Sequence, residues 1–279
     1  MAVALRGTRI RYLASPRPTP GYSPQRLPAM TEAAVTMAES GKTVELIRFS
    51  PVTECTIIKR RNRFIVLVEL DDGTLVDVHN TNTGRLIDVL VRGRRAFCIR
   101  TLRPRKTSLR LLAVEYRQGY ALIDTRSQEE AVRNAIDRGV LSWLPRCKTR
   151  KRHVKIGSSR IDFLLDCGGR EAYMEMKSAI LATDDGGALY PDAPSPRGRR
   201  HVKELIKLRI RGVMVYLLFV AAFSAASYFM PNRDVDPEMA DLIAEAARRG
   251  VAVHAVGIDF DPRSMAARLY SDRLRVMLA

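Results

Sequence analysis

The sequence predicts two domains of different fold class, an all-β N-terminal barrel followed by an α/β domain built on a mixed sheet. Three observations lead to this prediction. The chain has 279 residues, a length that suits one or two domains. Short strand-like runs fill residues 43–125 without a long helix, whereas helical and strand-like runs alternate in residues 126–279. Residues 1–42 are rich in Pro and Arg, and we expect a disordered basic tail there.

Apolar runs separated by turn residues predict the strands of the barrel. Phe64–Leu70 leads into the turn Asp71-Asp72-Gly73, and Thr74–Val78 follows that turn. Arg94–Thr101 and Leu109–Glu115 have the same character. About five strands over roughly 75 residues suggest a small closed barrel, and the OB-like barrel is one such architecture.

A change of pattern near residue 126 predicts the start of the second domain. Ser127 to Glu130 fits a capping box, which predicts a helix ending near Asp137 with Gly139 beyond it. Two strands are expected after it, at Ile161–Leu165 and Glu171–Lys177, followed by a helix at Arg199–Arg209. A buried strand at Val213–Val220, a helix over 236–249 opened by Asp236-Pro237 and a closing strand at Val251–Val256 complete the domain.

The run Val213–Met230 contains no charged residue and, at 18 residues, reaches the length of a membrane span. Its first half is rich in β-branched and aromatic residues, which favours a strand buried on both faces over a membrane helix. We therefore expect no membrane association. The four cysteines (Cys55, Cys98, Cys147 and Cys167) are scattered and none forms a CxxC pair, so we expect a reduced, cytoplasmic protein.

The charge is distributed unevenly along the chain. The formal net charge is +17, and residues 161–279 contain as many acidic as basic side chains, so the whole excess lies in the first 160 residues. A basic surface of this kind favours a polyanionic partner, and DNA bound electrostatically is the commonest. The alternative is a generally Arg-rich surface without a specific partner.

Two carboxylates and a lysine carry the main chemical signal. Asp162 lies in one predicted strand, and Glu175 and Lys177, two residues apart, share one face of the next strand. If these strands pair across the Gly168-Gly169 turn, all three side chains can enter one cleft. Asp162 and Glu175 would then bind Mg²⁺, and Lys177 would orient water or stabilise developing charge on a phosphodiester. The alternative is a surface ion pair of Glu175 with Lys177.

Four longer segments resemble the sugar fermentation stimulation protein A family: RHVKIGSSRIDFLL from Arg152, MEMKSAIL from Met174, LYPDAPSPRGRRHVKELIKL from Leu189 and FMPNRDVDPEMADLIAEAARRGV from Phe229. The segment HNTNTG at 79–84 resembles the N-terminal motif of that family. The resemblance implies an OB-like N-terminal domain, a C-terminal domain of the PD-(D/E)xK nuclease type, sequence-tolerant DNA binding and a regulatory role in sugar (maltose) metabolism. Carried over, Asp162, Glu175 and Lys177 match the nuclease core, and Arg160 matches the arginine before the aspartate.

The chain departs from the family pattern at two places. Asn80-Thr81 replaces the usual small residue and proline of the N-terminal motif, and His153 stands where the family usually has Glu. If that Glu helps to bind metal in the family, its loss would weaken metal binding here.

Basic and polar side chains on both domains are candidates for nucleic-acid binding. They are a cluster before a barrel strand, two residues of the N-terminal motif, and three arginines of the second domain: Lys59, Arg60, Arg61, Arg63, His79, Asn82, Arg160, Arg199 and Arg200. A solvated run of charge is the alternative for the barrel cluster. The expected function is that of a DNA-binding protein with a nuclease-like domain, and the alternative is a Mg²⁺-dependent nuclease. The sequence does not determine the oligomeric state, and a dimer is one of the candidates.

Overall fold

The computed structural model describes residues 43–101, 107–157 and 159–278. The expected tail, residues 1–42, lies outside these residues. The described chain contains a β-barrel, a seven-stranded mixed sheet with three α-helices, and a small four-stranded sheet. Both the all-β barrel and the α/β domain are therefore confirmed.

The barrel is made by a six-stranded sheet of order β4-β3-β2-β5-β6-β7, closed by a parallel contact between β4 and β6. Its strands are β2 (Val52–Arg60), β3 (Ile65–Leu70), β4 (Leu75–His79), β5 (Arg95–Arg100), β6 (Leu109–Tyr116) and β7 (Gly119–Leu122). Closure leaves five strands around the barrel, with β7 added beside β6. The four strands predicted from the sequence correspond to β3 to β6.

The large sheet has the order β1-β16-β15-β13-β10-β9-β8, in which β10, β13 and β15 run parallel and the other neighbours antiparallel. Its strands are β1 (Val44–Arg48), β8 (Cys147–Ile156), β9 (Ser159–Cys167), β10 (Glu171–Ala179), β13 (Met214–Ala221), β15 (Ala252–Asp261) and β16 (Ala266–Ser271). The predicted range 43–125 for the barrel thus contains one strand, β1, that hydrogen-bonds into the other sheet.

The helices are α1 (Thr125–Arg138), α2 (Pro196–Ile210) and α3 (Pro237–Arg248). The small sheet comprises β11 (Leu181–Ala182), β12 (Gly187–Tyr190), β14 (Tyr228–Pro231) and β17 (Arg275–Val276). The run Val213–Met230 forms β13 and the start of β14, and β13 is almost entirely buried. No helix in the described part of the chain is long and apolar enough to cross a membrane.

The barrel and the α/β domain share one hydrophobic core. Phe97 of β5 and Tyr120 of β7 pack against Phe260 of β15, with ring centroids 5.0 and 6.2 Å from that of Phe260. The amide of Leu122 donates to the carbonyl oxygen of Ala222 at 2.8 Å. This continuous packing holds β5 and β7 of the barrel against β15 of the large sheet.

The expectation that all cysteines are reduced is wrong for one pair. Cys147 and Cys167 form a disulfide. They are register partners on the antiparallel strands β8 and β9, which places their side chains next to each other. Because β8 is not among the predicted strands, this proximity could not be inferred from the sequence. Cys55 and Cys98 are free and buried.

Asp124 joins the barrel to α1. Its carboxylate is fully buried, caps α1 through the amide of Ser127, and accepts hydrogen bonds from Thr81 Oγ1 at 2.7 Å and Arg110 Nε at 3.0 Å. The cap is thus Asp124, three residues before the predicted Ser127. Ser127 instead donates its hydroxyl to the Asp124 carboxylate.

Replacing Asp124 with Ala should lower the free energy of unfolding by about 2 kcal/mol, because a helix cap and an ion pair are lost together. Chemical denaturation measures this difference. Asp124→Asn can still cap the helix, so its free energy of unfolding should fall by less than that of the Ala variant. Equal stability of the Ala variant and the wild type would contradict this role.

Candidate functional site

The hairpin of β9 and β10 positions the two predicted carboxylates. The strands pair antiparallel as the sequence predicts, and the ladder ends at the partners Phe163 and Met174. One residue further, the two strands no longer pair. Two residues after Met174, the amide of Met176 instead donates to Asp162 Oδ2 at 2.8 Å. The side chain of Asp162 thus takes the place of a backbone partner.

Glu175 and Lys177 share one face of β10 and contact each other. Lys177 Nζ lies 2.5 Å from Glu175 Oε1, and His201 Nδ1, from α2, donates to the same oxygen. Glu175 is 1% exposed, and its second oxygen, Oε2, is buried without a hydrogen-bond partner among the described residues. An ionised carboxylate with one unsatisfied buried oxygen is costly unless a further donor or a cation reaches it.

The two carboxyl groups differ in acidity. Burial, reinforced by the charge of Glu175, raises the pKa of Asp162 to about 7. Burial would also raise the pKa of Glu175, but the Lys177 ammonium and the hydrogen bond from His201 outweigh it and lower that pKa. The pKa of Lys177 is raised despite burial because Glu175, Tyr190 and Asp162 surround it. At neutral pH, Glu175 is therefore ionised and Lys177 is a cation.

These side chains line a cavity of about 340 Å³ between the barrel and the α/β domain. Its wall comes from a barrel loop, from α1, from β9, β10 and β12, and from the N-cap and first turns of α2: Thr81, Asn82, Thr83, Thr125, Arg126, Glu129, Asp162, Glu175, Met176, Lys177, Ser178, Tyr190, Ser195, Arg197, Gly198 and His201. The structure therefore brings Asp162, Glu175 and Lys177 together in one cleft. We call it the carboxylate cavity.

Glu129 is a residue of this cavity that the sequence reasoning missed. It projects from α1, and its charge contributes to the raised pKa of Asp162. Its Oε1 lies 2.7 Å from an Arg152 nitrogen and 3.2 Å from Nε2 of His153. An acidic group therefore lies beside His153, the position where the family pattern has Glu. Glu129 falls within the helix predicted from the capping box, but no local spacing links it to Asp162.

The four basic residues predicted on the barrel do not line the carboxylate cavity. Arg60 donates to the carbonyl oxygens of Gly84 at 2.7 Å and Asn62 at 3.1 Å, which ties the N-terminal motif to β2. Arg61 pairs with Asp77 at 2.6 Å. The guanidinium of Arg63 lies over the Phe64 ring, and Lys59 is exposed on β2.

Of the two predicted residues in the N-terminal motif, Asn82 lines the carboxylate cavity and His79 ends β4. Burial lowers the pKa of His79, so it is neutral at pH 7. The motif ends in Gly84 for a steric reason, since a Cβ there would lie 2.1 Å from Oδ2 of Asp192. The Asp192 carboxylate accepts a hydrogen bond from the amide of Leu86 at 3.2 Å and so holds the loop that follows the N-terminal motif against the second domain.

The three predicted arginines of the second domain lie in different settings. Arg199 pairs with Asp236 at 2.7 Å and with Glu238 at 3.2 Å. Arg160 and Arg200 instead line a second, basic cavity that also includes His201 and Arg197. The structure thus brings Arg160 and Arg200 together and directs Arg199 into an ion-pair network with α3.

The carboxylate cavity fits a divalent cation held by few protein ligands. No group of three or more His, Cys, Asp and Glu side chains within the described ranges is arranged to hold a metal ion. Asp162 and Glu175 nevertheless both line the cavity, and Glu175 Oε2 lacks a partner. Mg²⁺ binds in this manner, through one or two carboxylates, with water and substrate phosphate completing its shell.

Comparisons with known proteins agree with this arrangement. Residues 58–123 match the family model described as the SfsA N-terminal OB domain, and residues 126–264 match the sugar fermentation stimulation protein RE domain. A sugar fermentation stimulation protein homolog of Pyrococcus furiosus is 38% identical over 221 residues, which cover 78% of this chain and 94% of the relative. The homolog of Archaeoglobus fulgidus is 38% identical over 78% of this chain and 93% of its own.

A solved structure gives the same result. Pyrococcus furiosus SfsA in complex with Ca²⁺ superimposes with a TM-score of 0.79 at 36% identity, over 84% of this chain and 99% of that one. The family resemblance and the fold, an OB barrel joined to an α/β domain, are thereby confirmed. The chain belongs to the sugar fermentation stimulation protein A family.

Proposed function

We propose that this protein is a metal-dependent nuclease that hydrolyses phosphodiester bonds of DNA in the carboxylate cavity. The observation that carries the proposal is the cluster of Asp162, Glu175 and Lys177, in which Glu175 is buried and its Oε2 has no partner within the described structure. The Ca²⁺ in the solved Pyrococcus furiosus relative supports a divalent cation as cofactor. The net charge of +17 supports a polyanionic substrate.

In this proposal Asp162 and Glu175 hold the cation, for which Mg²⁺ is the candidate, and Glu129 lies within the same cavity. A bound cation would polarise a phosphate oxygen and lower the pKa of a water molecule. His201 fixes the rotamer of Glu175 through its Nδ1 hydrogen bond. Asn82, on a barrel loop, and Arg126, on α1, can contact the nucleic-acid backbone.

Lys177 contributes as a cation and not as a base. Its raised pKa keeps the ammonium protonated at neutral pH, so it cannot accept a proton from water. Its three N–H donors can instead stabilise the negative charge that develops on the phosphate oxygens in the transition state. Replacement of Lys177 by Met should therefore abolish cleavage and preserve DNA binding within a few-fold.

Supercoiled plasmid, single-stranded DNA and RNA, each incubated with Mg²⁺, Mn²⁺ or EDTA, test the proposal. We expect metal-dependent cleavage by the wild type and none by Lys177→Met. A second candidate function is that of a DNA-binding regulator, including of sugar metabolism, and the occupation of Glu175 Oε1 by Lys177 and His201 favours it. A mobility shift without cleavage under every metal condition would select this second candidate.

Metal binding should depend on pH because Asp162 must lose its proton. With the pKa of Asp162 at about 7, apparent affinity should fall about tenfold per unit as pH decreases from 7 to 5, and should level off above pH 8. Glu175, with its lowered pKa, stays ionised over this range and adds no further slope. Calorimetric titration of Mn²⁺ between pH 5.5 and 8.5 measures the profile. An affinity independent of pH would contradict the assignment of Asp162 as a ligand.

A further inference from the structure

The basic cavity beside the carboxylate cavity has no role in the chemistry described above. Its volume is about 280 Å³, and it shares His201 and Arg197 with the carboxylate cavity. The remaining lining residues are Lys155, Ser159, Arg160 and Arg200. Four of its six lining side chains are therefore cations, and none is acidic.

These four cations lack acidic partners. Within the part of the chain that the structure describes, Lys155, Arg160, Arg197 and Arg200 form no ion pair with Asp or Glu. Other basic residues of the same helix α2 behave differently. Arg199 pairs with Asp236, Lys203 with Glu238 and Lys207 with Glu204. Arg209, in the last turn of α2, donates to the carbonyl oxygen of Gly250. Arg197 and Arg200 are the two cations of α2 that line the basic cavity, and neither has an acidic partner there.

Two of the cations are placed directly against each other. Lys155 of β8 and Arg160 of β9 are register partners in the antiparallel hairpin. Like charges at directly opposed positions destabilise a sheet. An anion bound between them would convert this repulsion into attraction on both sides.

Ser159 provides a further unsatisfied group in the same cavity. It is 4% exposed, and its Oγ is buried without a hydrogen-bond partner among the described residues. A buried hydroxyl without a partner costs free energy, and a phosphate oxygen is a strong acceptor for it. Charge and hydrogen-bonding capacity thus point to the same ligand.

We infer that the basic cavity binds a phosphate group of the nucleic-acid substrate, next to the phosphodiester positioned in the carboxylate cavity. The nucleic-acid origin of this phosphate rests on the proposed function, whereas the binding of a phosphate group does not. Arg197 and His201 line both cavities. A phosphate bound in the basic cavity therefore fixes which phosphodiester of the nucleic acid lies in the carboxylate cavity. The group can be a terminal phosphate or an internal one.

Binding of inorganic pyrophosphate in EDTA tests the anion site without metal or catalysis. The test variant is Arg160→Gln/Arg200→Gln, and the matched control is Arg233→Gln/Arg249→Gln, which removes two exposed arginines paired with Asp241 and Glu245. We expect calorimetry to show at least about a tenfold loss of affinity in the test variant and less than a threefold change in the control. The melting temperature of the test variant without ligand should equal or exceed that of the wild type, because the repulsion between Lys155 and Arg160 is relieved.

The inference is overturned if the wild type fails to bind pyrophosphate, or if the test and control variants lose affinity equally. Single-stranded oligonucleotides with a 5′-phosphate, a 3′-phosphate or neither then identify the source of the phosphate. A preference for one phosphorylated end that disappears in the test variant identifies a terminal phosphate. Equal affinities that all fall in the test variant identify an internal one. If pyrophosphate binds but no nucleic acid is cleaved with any metal, the anion site stands and the proposed nuclease activity fails.

Discussion

Glu175→Gln should lower the free energy of unfolding in EDTA by about 3 kcal/mol, the larger of two opposite effects expected for the two cavity carboxylates. In the wild type, Glu175 neutralises Lys177 at 2.5 Å, and the two side chains are only 2% and 10% exposed. The neutral amide leaves the Lys177 ammonium without a buried counter-charge, and the charge of Asp162 only partly replaces it. Urea denaturation at pH 8 measures the difference.

The double variant Glu175→Gln/Lys177→Met provides the control. Removing the stranded ammonium should restore most of the lost stability, because a buried ion pair exchanged for uncharged groups is often neutral in its net effect. A single variant as stable as the wild type would contradict the buried ion pair. A double variant as unstable as Glu175→Gln would show that packing, and not charge, causes the loss.

Asp162→Asn should instead stabilise the metal-free protein at pH 8, by about 1–3 kcal/mol. The pKa of Asp162 is raised to about 7 in the folded protein, from an ordinary value near 3.8. The folded state therefore binds a proton that the unfolded state has lost, and the wild type becomes less stable as pH rises from about 4 to 7. The asparagine variant has no such proton to lose.

The difference in free energy of unfolding between Asp162→Asn and the wild type should therefore increase from pH 4 to pH 7 and stay constant above pH 7. The measurement is denaturation across pH 4 to 9 in EDTA for both proteins. The side-chain amide introduced by the substitution would retain one oxygen able to accept the Met176 N–H, so the strand junction is preserved. A variant less stable than the wild type at pH 8 would contradict the burial of an ionised Asp162 next to Glu175.

The hairpin that forms the site could be predicted because its information is local. Two apolar strands joined by Gly168-Gly169 specify an antiparallel pair, and the i, i+2 spacing places Glu175 and Lys177 on one face. The β-branched and aromatic residues of Val213–Val220 likewise predict a buried strand, and β13 covers nearly the same residues.

The elements that the sequence did not predict depend on distant partners. No strand is predicted for the strongly basic run Arg146–Lys155, but most of it forms β8, at the edge of the large sheet. Lysine and arginine are common on edge strands, where they oppose association with other chains, so their charge hid the strand. Strand β1 pairs with β16, more than 200 residues later in the chain, and no local pattern encodes such a pairing.

The residues of the carboxylate cavity also divide into those that local sequence predicts and those that depend on tertiary packing. Asp162, Glu175 and Lys177 can be found from the sequence, and the structure places them in one cavity. Glu129 and the contact of His201 with Glu175 are not predicted, because helices α1 and α2 reach the cavity only through tertiary packing. Arg199 has the same basic character as Arg200 in the sequence, and only the position of Asp236 distinguishes their surroundings.

The central claim is that Asp162 and Glu175 together form a divalent-metal centre, and calorimetric titration of Mn²⁺ at pH 8 tests it most directly. The proteins to compare are wild type, Asp162→Asn, Glu175→Gln/Lys177→Met and, as a control outside the cavity, Asp241→Asn, which removes an exposed carboxylate. We expect a site in the wild type and in the control, and at least a hundredfold weaker binding in both cavity variants. Wild-type affinity retained in both cavity variants, or no Mn²⁺ binding by the wild type, would contradict the metal centre.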